Sequence, residues 1–217
     1  RPIALSSDNH LFRELEVETK PQQMWTAVFD NDRGLAVVST GLLETAIRDI
    51  PERTLALTLL RSTRTTVGTN GEPNGLLIGT SRFRYWLMPL TEAPDRVSLF
   101  RMGQQLAAGF YAVQLRPEDM ALHQESGQLA ATASPLRVDG DVVVTSARMV
   151  GDAFELRCFN PTDQTAEITI SFGDNISFSR IQSVNLESSP LDRPSRITDS
   201  KASLRLEPRK IATYRFQ

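Results

Sequence analysis

Side chains able to do chemistry are few in this chain and far apart. There are two histidines, His10 and His123, with no H-E-x-x-H or H-x-D spacing around either, so no histidine-rich metal site is encoded. The one cysteine, Cys158, lies in an alternating apolar run, which predicts a packed thiol rather than a nucleophile. A single cysteine also excludes an intrachain disulfide framework and a cysteine-based structural zinc site. The G-x-S-x-G elbow of a serine hydrolase and the G-x-x-x-x-G-K-[ST] loop of a phosphate binder are both missing. Gly68, Gly71, Gly75 and Gly79 are mixed with Asn, Pro and Glu, the composition of a long hairpin loop rather than a phosphate cradle. Carboxylates remain, 26 in all. Two of them facing one glycosidic bond would be a glycosidase centre, but most sit in turns or alternate with apolar neighbours, which predicts solvated faces. Trp25, Tyr85, Trp86 and Tyr111 offer flat apolar surfaces to a sugar ring, yet Trp25 and Trp86 fall inside apolar strand runs, where packing is the expected fate.

The elements that would position these groups are mostly strands. Trp25–Phe29, Gly34–Val38, Leu55–Leu60 and Phe83–Met88 are short runs rich in β-branched and aromatic residues. Turn signals separate them: Asp30-Asn31-Asp32 before Arg33-Gly34, Asp49-Ile50-Pro51-Glu52, and a polar stretch from Thr65 to Gly75. One segment has a helical period: Leu99, Met102, Leu106 and Phe110 predict a helix over 95–111, with Asp95 as N-cap or first-turn acid and Gly109 near its end. From His123 to Pro135 the composition turns small and polar, as in a linker. Beyond it, about seven short strands in about eighty residues predict a small β-sandwich. Within them Phe154, Leu156 and Cys158 share one strand face, Asn160-Pro161 breaks the ladder, and Ile168, Ile170 and Phe172 resume the alternation. That pattern predicts an antiparallel pair over one core.

Size and charge narrow the partners. A 217-residue chain with 40% hydrophobic content is long enough for one large or two small domains, and its net charge of −2 predicts no affinity for nucleic acid or an anionic membrane. No apolar run reaches the ~20 residues of a membrane helix. The start at Arg1 has neither the apolar region nor the cleavage site of a signal peptide and reads as a cut; the compartment stays open, cytoplasmic being favoured if the source is bacterial.

Several blocks resemble the C-terminal half of glycoside hydrolase family 38 α-mannosidases, bacterial ones in particular. Arg33-Gly34-Leu35-Ala36-Val37 is similar to the family's R-G-[LIV]-A-[VL] strand. Leu55-Ala56-Leu57-Thr58-Leu59-Leu60-Arg61-Ser62 is similar to L-x-L-[TS]-L-L-R-S. Phe83-Arg84-Tyr85-Trp86-Leu87-Met88-Pro89 resembles the F-x-Y-x-[LI]-x-P strand that precedes a helix. Glu155-Leu156-Arg157 with Asn160-Pro161 resembles E-L-R-x-x-N-P, and Leu206 to Arg215 resembles the closing L-x-P-x-x-I-x-T-x-x strand. The resemblance implies an all-β, mainly antiparallel chain. Residues 1–130 would be part of a large β-supersandwich of mutarotase-like type carrying the helix, and 136–217 a small C-terminal β-sandwich.

It also implies that this region is non-catalytic. In such retaining enzymes the zinc and the nucleophilic aspartate belong to an N-terminal barrel, so no residue here is assigned a catalytic or metal-ligating role and zinc is expected in the missing domain. The implied partners are that catalytic domain and, through it, an α-mannoside. The loop Gly41–Glu44 stands where the family sends a loop toward the barrel, which makes Thr40 and Glu44 candidate sugar contacts. Its Leu42 and Leu43 are candidates to dock on the barrel. Arg61 is a third candidate contact, with pairing to a neighbouring acid at the sheet rim as the alternative. A different class, an autonomous carbohydrate-binding or structural β-sandwich, is the competing expectation. A native start near Arg1 would favour it, and several hundred upstream residues with a His/Asp zinc motif would favour the first.

Overall fold

The computed structural model describes residues 19–47, 54–62, 76–114, 116–118, 134–173, 176–199 and 201–217. His10, His123, the Gly68–Gly75 stretch and most of the 123–135 segment lie outside them. The class is all-β and antiparallel, with one helix among the named elements. Contacts divide the chain into two units: one runs to Asp95 and adds Met102–Gly109, and the other takes Arg96–Arg101 and everything from Phe110 onward.

The first unit holds two three-stranded sheets. One contains β2 (Trp25–Asp30), β3 (Arg33–Ser39) and β6 (Tyr85–Leu90) in the order β2-β3-β6; the other contains β1 (Thr19–Pro21), β4 (Glu44–Ile47) and β5 (Leu55–Leu57) in the order β1-β4-β5. The β2–β3 hairpin closes through Asn31, whose φ of 54° suits an asparagine, and Asp30 pairs with Arg33. Gly34 is required next to that turn: a Cβ there would lie 2.4 Å from the Val28 carbonyl oxygen and 2.8 Å from the Phe29 ring. Ala36, Val37 and Val38 in β3 are fully buried. Trp25 and Trp86 stand on either side of Val38 in one cross-strand row, so both half-buried indoles cover the same face. Two expected strands have shifted ends. The Leu55–Leu60 run is laddered only to Leu57, and the Phe83–Met88 run begins at Tyr85 and continues through Pro89 to Leu90.

The helix α1 spans Arg96–Ala108, with Leu99 buried and Met102 and Leu106 half-buried. It stops short of the expected Tyr111 because Gly109 enters the left-handed region at φ 66° while its N–H still bonds the Gln105 carbonyl at 3.0 Å. Phe110, expected on the helix's apolar stripe, is outside the helix and exposed.

Among the described residues the second unit is a sandwich of eight strands. Its sheets are β13-β10-β7 and β12-β11-β14-β9-β8, where β7 is Leu136–Asp139, β8 Val143–Val150, β9 Ala153–Phe159, β10 Ala166–Phe172, β11 Arg180–Val184, β12 Ser195–Arg196, β13 Lys201–Leu206 and β14 Ile211–Phe216. Leu156, Cys158, Ile168, Ile170, Ile181, Tyr214 and Phe216 meet between the sheets. At one end Phe154, Phe172, Phe178 and Phe216 form a cluster in which Phe172 meets each of the other three edge-to-face, with centroids as close as 4.7 Å for Phe172–Phe178 and 4.9 Å for Phe172–Phe216.

One expectation is corrected here. The Phe154–Cys158 and Ile168–Phe172 strands are not an antiparallel pair: β9 pairs with β14 and β8, whereas β10 pairs with β13 and β7. They cover one core from opposite sides. The reason lies at Asn160, which has no exposed surface. Its amide donates to the carbonyls of Gln164 at 2.7 Å, Leu206 at 3.0 Å and Glu207 at 3.2 Å, and its Oδ1 accepts from the Thr162 N–H and hydroxyl at 2.9 and 2.8 Å. The side chain thereby fastens the chain as it leaves one sheet for the other, and the corner's buried backbone groups are satisfied without a hairpin ladder.

Candidate functional site

The expected site loop is well formed. Gln22 holds it: its side-chain amide donates to Ser39 Oγ at 3.0 Å and to the Leu42 carbonyl at 2.9 Å, and its N–H bonds the Leu43 carbonyl at 2.8 Å. Leu42 is buried within this unit and so is not available to a docking partner, contrary to expectation; Leu43, its neighbour, is 73% exposed. Glu44 opens β4, and the N–H of Thr58 reaches its carbonyl at 3.1 Å. That register brings Thr58 and Arg61 to the Glu44 side chain. Oε1 accepts from Thr58 Oγ1 at 2.7 Å and from Arg61 Nη2 and Nε at 2.8 and 3.1 Å.

Two of the three candidate contacts therefore form one ion pair, in which Arg61 is 66% and Glu44 24% exposed. A pair so exposed contributes little to stability. Among the described residues, Glu44 Oε2 accepts no hydrogen bond, so the carboxylate keeps an open acceptor. The pair stands at the rim of a cavity of about 360 Å³ whose walls include Pro21, Leu43, Leu59 and Leu60. Hydrogen-bonding groups beside apolar walls are the makings of a site for a hydroxylated ligand. Thr40 is not part of it. It lines a separate open cavity of about 510 Å³ with Arg82, Phe83 and Arg84.

The other groups considered for chemistry are structural. Cys158 is wholly buried and burial pushes its thiol up to about 12, so no thiolate forms near neutrality. Burial likewise pushes Tyr214 up to about 12. Among the described residues no group of three or more His, Cys, Asp or Glu converges as metal ligands would.

A carboxylate that sequence reasoning assigned to a solvated face proved buried. Glu155 is 1% exposed although it alternates with the core residues of β9. Its cross-strand neighbours are Arg148 on β8 and Arg215 on β14, one on each side. Arg215 donates to Oε1 at 2.8 and 3.1 Å; Arg148 and the Ser188 hydroxyl donate to Oε2 at 3.1 and 2.8 Å. Burial alone would raise the Glu155 pKa, but the hydrogen bonds from Ser188, Arg215 and Arg148 outweigh it and the carboxyl is held below its ordinary value. With both oxygens occupied and the group ionised, it is neither an accessible base nor an acid. Only the strand order would have revealed it: Arg148 is seven residues away across the β8–β9 hairpin, but Arg215 is sixty residues away and becomes a neighbour only when β14 lies on the other side of β9.

No protein-family model matches this sequence, and no curated protein does. The fold, however, matches solved structures. An α-mannosidase from Enterococcus faecalis V583 superposes with a TM-score of 0.72 at 21% identity, over 94% of this chain and 22% of that one. A glycosyl hydrolase family 38 protein from Enterococcus faecalis gives a TM-score of 0.67 at 20% identity, over 92% of this chain and 22% of that one. At these identities the likeness is one of fold, and this chain spans about 22% of the length of the proteins it resembles.

Proposed function

We propose that this chain is the C-terminal, non-catalytic β region of a family 38 α-mannosidase-like retaining glycoside hydrolase. In this reading it is the later part of a mutarotase-like supersandwich followed by a small terminal sandwich, and it packs on the catalytic domain. The observation that carries the reading is the asymmetry of coverage: nearly all of this chain, 94%, superposes on 22% of an α-mannosidase. The motif blocks quoted above support it from the sequence side. The metal expected for the chemistry, zinc, belongs to the portion of the enzyme that holds the histidine and aspartate ligands.

The Glu44–Arg61 pair is the part of this region that meets the sugar. Its open Oε2 accepts a hydroxyl, and the guanidinium, two-thirds exposed, donates to another. Thr40 supplies a further hydroxyl contact from its own side of the loop.

The test compares this chain with the full-length protein encoded by the same gene, using p-nitrophenyl α-mannoside. The full-length protein releases p-nitrophenol and loses that activity to a zinc chelator, while the 217-residue chain releases none. Release by the chain alone would place catalysis here and overturn the reading. Mannoside binding by the isolated chain, measured by titration calorimetry, would support an autonomous carbohydrate-binding module instead. Within the full-length enzyme, Glu44→Gln raises KM with kcat unchanged, the signature of a lost contact made equally in ground and transition states.

A further inference from the structure

The side of the sandwich where both sheets end holds a cavity that the functional reading does not use. β12 is an edge of the five-stranded sheet and β13 an edge of the three-stranded one. Between them, wholly within the second unit, opens a cavity of about 440 Å³, in the size range of small-molecule sites. Ile181, Ala202 and Leu204 give it apolar walls, and Tyr214 reaches it from the middle strand β14.

Tyr214 is the informative residue. It is only 6% exposed, and among the described residues its hydroxyl makes no hydrogen bond. The oxygen is not sealed in the core, because it keeps accessible surface where the residue lines the cavity. A buried tyrosine ordinarily finds a partner for its hydroxyl, so a free one aimed into a cavity is a place for a ligand group. Burial first, then Cys158 and the Asp192 carboxylate, push the phenol up to about 12, so it stays a neutral O–H that both donates and accepts.

The charged groups around it are held ready. Asp192 is fixed beside β11: its Oδ1 accepts from the Ser183 N–H at 2.9 Å and its carbonyl from the Gln182 side-chain amide at 2.6 Å, which leaves Oδ2 open. Arg196 and Lys201, on the two edge strands, make no side-chain hydrogen bond or ion pair among the described residues. The cavity therefore sets two cations and a hydroxyl, all donors, against one open carboxylate oxygen, an acceptor. A ligand that matches it carries an anionic group for the cations and hydroxyls for Tyr214 and Asp192.

We propose that this cavity binds a sugar acid, a hydroxylated ring bearing a carboxylate. The carboxylate is taken by Arg196 and Lys201, hydroxyls bond Tyr214 and Asp192 Oδ2, and the ring's C–H face rests on Ile181 and Leu204. The site is distinct from the Glu44–Arg61 pair, which belongs to the first unit, and it does not depend on the function proposed above.

Titration calorimetry of the 217-residue chain with sodium D-glucuronate tests it, with methyl α-mannoside as the neutral comparison. Glucuronate binds with a Kd of about 1 mM or tighter, and the mannoside about 10-fold more weakly for want of the charge-assisted contact. Tyr214→Phe keeps the ring in the core and weakens glucuronate binding about 10-fold at an unchanged urea midpoint, since the hydroxyl holds nothing in the fold; Lys201→Ala weakens it to a similar degree. No heat of binding at about 10 mM glucuronate overturns the proposal. Equal binding of the mannoside overturns the assigned ligand class, and glucuronate binding unaltered in Tyr214→Phe puts the ligand elsewhere and overturns the site. A urea midpoint lowered by Tyr214→Phe shows the hydroxyl to be bonded within the fold and likewise counts against the proposal. None of these outcomes bears on where the α-mannoside is cleaved.

Discussion

Replacing Asn160 by alanine is the sharpest perturbation the sandwich offers. The substitution leaves the backbone free to keep its path and removes a side chain with no exposed surface. It deletes both amide protons that serve the carbonyls of Gln164, Leu206 and Glu207, and the acceptor that Thr162 uses twice. The bond to Leu206 is buried, so water does not readily replace it, and its loss costs about 1–3 kcal/mol. The bonds at Gln164, Glu207 and Thr162 are partly buried and water replaces some of each, so they lose about 0.5–1.5 kcal/mol apiece. The sum is about 5 kcal/mol. With a urea m-value of about 2 kcal/mol/M this moves the unfolding midpoint down by about 2.5 M at unchanged slope. Far-ultraviolet circular dichroism against urea reads it, with amide exchange on β9, β10 and β13 locating the loss in the sandwich. Thr162→Ala, which removes only one arm of the network, costs about 1 kcal/mol. A loss below 1 kcal/mol for Asn160→Ala, or one equal to that of Thr162→Ala, would refute the idea that this amide holds the crossover between sheets.

Three other outcomes are expected. Glu155 has a folded pKa below its unfolded value, so its contribution is complete above the unfolded pKa and drains away as pH falls through the folded one; Glu155→Gln costs about 3 kcal/mol at pH 7 and flattens the acid limb of a stability–pH profile. An undiminished acid limb in the variant would show that other carboxylates govern it. Cys158 ignores a thiol-reactive disulfide reagent in the native chain and reacts stoichiometrically in urea, since burial holds its thiol near 12; rapid native labelling would contradict the packed position. Gly34→Ala forces a Cβ to within 2.4 Å of the Val28 carbonyl and destabilises the first unit by about 2 kcal/mol, read in urea from the fluorescence of Trp25 and Trp86; a silent substitution would mean the β2–β3 hairpin relaxes freely.

The strands were legible where one face is buried, because alternation is then imposed by the core: Phe154, Leu156 and Cys158 face inward as expected, as do Ile168 and Ile170. What failed was pairing. Sequence adjacency favours a hairpin, but the choice between a hairpin and a change of sheet was made by one asparagine whose partners, Leu206 and Glu207, lie more than forty residues away. The helix was found by its period and its end was misplaced, because Phe110 continued the apolar spacing while Gly109 had already ended the helix. Gly109 was noted in the sequence, but its φ was not readable there. Glu155 was missed for the same reason as the pairing: alternation assigns it outward, and only the order of β8, β9 and β14 shows that two arginines cover it. At the loop, the sequence placed Glu44 and Arg61 on separate footings, whereas the β4–β5 register joins them and leaves Thr40 apart.

The position of β14 bears on how the protein is made. It lies between β9 and β11 in the middle of the five-stranded sheet, yet it follows both of them in the chain. A ribosome delivers β8, β9 and β11 with a vacant lane between two of them, and the sheet closes only when Ile211–Phe216 has left the exit tunnel and is inserted from both sides. Until then the β9 edge and the inner faces of Leu156 and Ile181 are open to any passing strand. Nascent chains stalled before Ile211 are thus the form most in need of a chaperone, and loss of these few residues removes the middle of the sheet rather than trimming its end.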